Sequence, residues 1–211
     1  MKKNTIYLYS MASLALLVPF PGRLAYGIIL VILLNLLMLT GTLFRRLVSL
    51  LSLDNLLSVL IAVLLVSETV IFKQLLVLFS PLMALTLGFA LFMPAVSSFI
   101  IGSLYQPGER RPLWTDCLVN LKQSGLFSLY ALFVFAFRDL FGYGTLTLPA
   151  RRGLVQLQVL SGRCGAGTFW ASIPGALLLS LLCIMLSAGF VRNLRHAGES
   201  LAENGGDADA S

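Results

Sequence analysis

Six apolar stretches alternate with polar breaks along the chain, at 6–20, 24–44, 56–72, 75–105, 121–141 and 168–191. A helix that crosses a bilayer needs roughly 20 apolar residues, with about 17 to 25 tolerated. The second, third, fifth and sixth stretches fit that range, the first is short, and the fourth is too long for one straight helix. The pattern predicts an all-α integral membrane domain over residues 1–197, with six transmembrane helices. A small acidic, Gly/Ala-rich tail over 198–211 reads as disordered.

Two of the stretches are punctuated by proline. Leu17-Val18-Pro19-Phe20-Pro21-Gly22 closes the first, and Pro81, Gly88 and Pro94 interrupt the fourth. Proline removes a backbone donor and clashes with the preceding turn. In lipid the freed backbone groups need partners from protein or from water in a cavity. The first and fourth elements are therefore read as broken half-helices, which are either ordinary kinks or the frame of a mid-membrane site. The opening Met1-Lys2-Lys3 and apolar run suit a secretory leader, but Val18-Pro19-Phe20-Pro21-Gly22-Arg23 replaces a small-x-small cleavage pattern, so the segment is kept as a membrane element. A turn-rich hinge at 106–112 separates four stretches from the last two. The longest polar excursion, between Gly142 and Gly167, holds three arginines and six glycines.

Composition fixes the solvent. Of 211 residues 58% are hydrophobic and only 11% charged, with a mean hydropathy of +0.91. A soluble domain carries roughly 25% charged residues. This excludes a soluble enzyme, a nucleic-acid-binding module and a disordered scaffold, and it names the lipid bilayer as the first partner. The net charge of +6 comes from basic residues at the ends of apolar runs, which read as topology. With six crossings, nine Lys and Arg fall on the side of the termini and six on the other, so both termini are expected in the cytoplasm.

Residues able to carry chemistry are few. Cys117, Cys164 and Cys183 form no CxxC pair, and the single histidine, His196, lies in the polar tail, so no metal site is expected from the chain's own Cys and His. Nor is there a nucleophile–base–acid set, a paired-carboxylate site or an HExxH pattern. At most the chain is a non-catalytic subunit of a larger enzyme. Glu68 lies inside the third stretch, where an ionisable group costs about 3 kcal/mol on insertion scales. It is either an ion- or proton-handling group or a structural carboxylate near the interface, since Lys73 follows closely. Ser97 and Ser98 directly follow Pro94 and add polarity to that break, while Asn35 reads as helix–helix glue. In Arg138-Asp139-Leu140-Phe141-Gly142-Tyr143-Gly144 an apolar helix ends in a charge pair and turns through Gly142 and Gly144. A structured turn at the membrane boundary explains it better than a phosphate loop, because no strand precedes it.

With those residues in view, the chain resembles the six-span membrane subunits of the Rnf and Na+-translocating NADH:quinone oxidoreductase (Nqr) complexes, the RnfA/RnfE and NqrD/NqrE group. The likeness covers most of the chain. Leu17 to Gly22 is similar to the family's first half-helix motif, and Gly88 through Gly102, with Pro94 and Ser97-Ser98, to its fourth-span break. Arg138 through Leu146 looks like its Arg-Glu-x-x-Gly-x-Gly-Thr segment, and Ile173-Pro174-Gly175-Ala176 like the start of its last span. The long loop after Gly144 and the cytoplasmic termini suggest the RnfE/NqrD side. The resemblance implies an inverted 3+3 repeat, a bacterial inner membrane, and partner subunits that hold flavin and iron–sulfur centres, including an inverted homologous subunit.

One departure limits the transfer. The family's two cluster cysteines correspond to Val18 and Ser98, and the three cysteines present do not replace them. Valine cannot ligate iron and serine is a poor substitute for thiolate. The resemblance therefore implies a structural or ion-path subunit with no cofactor bound by this chain alone; Glu68, Ser97, Ser98, Arg138, Asp139, Gly142 and Gly144 are its candidate residues. Two other readings stay open: a small stand-alone secondary transporter with its site at the broken helices, and a membrane assembly factor.

Overall fold

The structure is a computed structural model and describes residues 16–104, 113–150, 153–159, 167–182 and 185. Residues 16–17 are helical, and the chain then bends through 18–23, where Pro19 and Pro21 withhold the amides a helix would need. Helix α1 follows at Leu24–Leu50, about 40 Å long at 1.5 Å per residue. A turn through Ser52, at φ 56°, and a 3₁₀ turn at Asp54–Leu56 lead into α2, Leu57–Phe79. Ser80 is extended, as a residue before proline must be, and Pro81 opens α3, Pro81–Leu87. A 3₁₀ segment at Gly88–Phe92 and a turn separate α3 from α4, Ser98–Leu104. Helix α5 covers Leu113–Tyr143. Strands β1, Thr145–Ala150, and β2, Gly153–Gln158, follow, then a short α6, Gly167–Ala171, and α7, Ile173–Leu182.

Three helices, α1, α2 and the Trp114–Tyr143 part of α5, are long and apolar enough to cross a membrane, which is the property of a membrane protein. The antiparallel pair α1–α5 is the spine of the core, with Leu30, Leu33, Leu37, Ala131, Val134 and Phe135 all buried in one apolar cluster. Its register is legible in the contacts: Leu24 meets Asp139, Asn35 meets Ser124 and Ser128, and Thr42 meets Asn120. The interrupted α3–α4 element follows the same axis. At one end Leu82 lies near Gly153 of the hairpin, and at the other Leu104 packs over Gly41 of α1.

Several sequence expectations are corrected. The third stretch does not stop at Phe72: α2 stays helical through Lys73 to Phe79, and the boundary with the fourth stretch is Ser80–Pro81. Lys73 is carried inside the helix with its ammonium 5.8 Å from the Phe92 ring centroid, so its charge is housed and does not end the span. Glu68 is consequently midway between Leu57 and Phe79, far from either helix end. The fifth stretch does not begin at Leu121: α5 is helical from Leu113 and includes Cys117. The all-α expectation also needs amending, because the polar excursion contains a two-stranded antiparallel sheet that pairs Thr145 with Gln158 through to Ala150 with Gly153. Thr147 is buried against the bundle, Leu148, Val155 and Leu157 are exposed on the opposite face, and Gln156 and Gln158 are exposed as well. The start of the first stretch, the 106–112 hinge, Cys164, Cys183, the end of the sixth stretch, His196 and the 198–211 tail lie outside the described residues.

Candidate functional site

The charge pair near the end of α5 organises the hairpin end of the molecule. Arg138 is 1% exposed and Asp139 fully buried, and their partners are mostly backbone groups of distant segments. Arg138 Nη1 donates to the carbonyls of Leu17 (2.9 Å) and Phe20 (3.1 Å). Its Nη2 donates to Ala171 O (3.1 Å) and its Nε to Trp170 O (3.4 Å). These are carbonyls left bare where the first helical turn breaks and where α6 ends. A planar guanidinium with five donors can serve both ends at once, and a cation is the favoured charge at a helix C-terminus.

Asp139 does the complementary work. Helix α1 begins after Arg23, which gives no side-chain cap. Asp139 Oδ2 instead accepts from the Leu24 amide (3.1 Å), and from the amide and hydroxyl of Thr147 (both 2.6 Å). The Ala25 amide donates in turn to Thr147 Oγ1 (3.3 Å), and Thr145 Oγ1 donates to Asp139 Oδ1 (3.3 Å). The carboxylate is therefore an N-cap delivered from another helix, at the end where the helix dipole favours negative charge. Gly142 lets α6 approach, since a Cβ there would sit 2.9 Å from the Ala171 Cβ. Gly144, at φ 68°, ends α5 in the left-handed conformation and turns the chain into β1.

The second break is satisfied locally. Ser97 Oγ donates to Pro94 O (2.8 Å) and accepts from the Ile100 amide (3.4 Å), so it caps α4. Ser98 is the first residue of α4, and Val18 is in the first bend. Val18 offers no atom able to ligate iron, so no electron step is assigned to it. Among the described residues no three His, Cys, Asp or Glu side chains gather.

Glu68 belongs to a different locus, the α1–α2 seam, where its carboxylate accepts from Thr40 Oγ1. Asn35 is indeed glue, donating to Ser128 Oγ (2.8 Å) and accepting from Ser124 Oγ (2.7 Å). Asn120 Nδ2 adds a bond to Thr42 Oγ1 (3.0 Å) along the same α1–α5 seam. Sequence reasoning missed Thr40, Thr42, Asn120, Ser124, Ser128 and Thr147. The four-residue spacing of Asn120, Ser124 and Ser128 was a usable signal for one polar helix face. The structure thus joins Arg138, Asp139, Gly142 and the 17–22 bend in one cluster, and keeps Glu68 and Ser97 in contacts of their own. No family model matches the chain, and comparison with curated proteins finds no match.

Proposed function

We propose that the chain is an integral membrane subunit of an ion-translocating electron-transport complex of the Rnf/Nqr type. In this reading six helices form two inverted halves, with the first and fourth broken. Flavins and iron–sulfur centres reside in partner subunits, and this chain contributes structure and part of an ion path. The supporting observation is the clamp around Arg138 and Asp139. It joins two segments that carry the family likeness although they are remote in sequence, the 17–22 bend and the 138–146 segment, and it reaches Trp170 and Ala171 just ahead of a third at Ile173. Chance matches in apolar sequence have no reason to converge on two adjacent buried charged residues.

The second reading, a stand-alone secondary transporter, draws on Glu68. A carboxylate midway along a membrane helix is costly and so marks a candidate coupling group. Purification of the tagged chain from its native membrane in mild detergent separates the two. Co-purifying flavoprotein and iron–sulfur subunits support the complex. A chain that emerges alone and moves a solute in liposomes supports the transporter, and one that emerges alone and moves nothing leaves the assembly factor.

A further inference from the structure

An open apolar groove of about 750 Å³ runs along the outer side of the α1–α5 pair, between Leu24 and Ile28 on one helix and Leu126, Leu129, Phe133 and Ala136 on the other. Beside it Phe135 packs over Gly27 and joins the two helices closely. From Leu126 to Ala136 it extends about 15 Å at 1.5 Å per residue, half of a roughly 30 Å hydrocarbon core and so the depth of one leaflet. Its walls are turned outward: Leu129 is 71% and Phe133 65% exposed.

What stands at its mouth is charged. Continuing the α5 stripe by seven residues, from Ala136, leads to Tyr143, and the residue before Leu24 is Arg23. The Arg23 guanidinium lies 4.7 Å from the centroid of the Tyr143 ring. Stacking uses the face of the guanidinium and leaves its N–H edges available to a phosphate. Tyrosine and arginine at one end of an apolar helix are interfacial anchors. An apolar channel one leaflet deep that ends at a cation matches one molecule: an acyl chain with an anionic headgroup.

We propose that this groove is a binding site for one anionic phospholipid, its acyl chain along Leu129, Phe133 and Ala136 and its phosphate on Arg23. The groove walls hold the tail whatever the headgroup; Arg23 selects the anionic one.

Native mass spectrometry of the full chain, delipidated in detergent and titrated with phosphatidylglycerol, phosphatidylcholine or inorganic phosphate, tests this. Wild type is expected to take up one phosphatidylglycerol in preference to phosphatidylcholine, and inorganic phosphate alone to leave the spectrum unchanged. Arg23→Gln removes the headgroup contact and is expected to weaken phosphatidylglycerol about tenfold, leaving phosphatidylcholine unaffected. Leu129→Trp fills the groove from an exposed position, so it spares the core and is expected to weaken both lipids. The proposal is overturned if wild type shows no headgroup preference, if Arg23→Gln binds phosphatidylglycerol like wild type, or if Leu129→Trp leaves lipid uptake intact. Saturation by inorganic phosphate alone also overturns it, because the site would then recognise a free anion.

Discussion

Arg138 donates to four carbonyl oxygens, two of them in the first bend and two at the end of α6. Arg138→Met strands all four, and at about 1–3 kcal/mol per orphaned buried group the variant should lose at least about 3 kcal/mol. Thermal unfolding in detergent, with yield from membranes, reads this directly. Arg138→Lys keeps the charge but concentrates the donors at one point, so it should fall between wild type and the methionine variant. Asp139→Asn keeps the shape but removes the charge at the start of α1 and half the acceptor capacity, a cost of about 1–2 kcal/mol in the same assay. Equal stability of Asp139→Asn and wild type would show that the cap at Leu24 does not depend on charge. The pair itself was legible in the sequence as two charges closing an apolar helix. Its partners were not, because a carbonyl has no side-chain signature and Leu17, Phe20, Trp170 and Ala171 look like ordinary apolar positions.

At the scale of elements, α1 and α5 are held by a row of side-chain bonds through Asn35, Ser124 and Ser128, with Asn120 and Thr42 farther along. A double-mutant cycle on Asn35→Leu and Ser124→Ala should give a coupling of about 0.6 kcal/mol and no more than roughly 1.7, the range for polar pairs inside membranes. Ser97→Ala should cost about 1 kcal/mol, because it uncaps α4. The apolar runs announced most of these helices, and the prolines announced the bend after Leu17 and the interruption of the fourth stretch. The boundary after α2 was misplaced because Lys73 and Gln74 look like punctuation, whereas the ammonium is housed over Phe92 inside the span. The hairpin was passed over because its arginines and glycines dominate the composition there. Its period-two signal was present nonetheless in Leu154-Val155-Gln156-Leu157-Gln158-Val159, where apolar and polar residues nearly alternate.

For the whole molecule, α1 places Arg23 and Ser52 at opposite ends, and the hairpin shares the Arg23 end. Single cysteines at Ser52 and Gln156, in a background with Cys117, Cys164 and Cys183 replaced by serine, should therefore react with an impermeant thiol reagent from opposite faces of sealed vesicles. If the proposed ion-translocating function holds, Glu68→Gln should leave membrane insertion unchanged while lowering ion-coupled turnover; full turnover would confine the carboxylate to a packing role beside Thr40. The clamp also constrains how the chain is made. Leu17 precedes Arg138 by 121 positions and Leu24 precedes Asp139 by 115. At roughly 5–20 residues per second a ribosome takes about 6 to 24 s to bridge that interval. Throughout it, the carbonyls of Leu17 and Phe20 are without the guanidinium that receives them in the folded chain. The carbonyls of Trp170 and Ala171 are made later still, so the two ends of the clamp meet Arg138 at different times, the earlier-made end waiting on the middle of the chain.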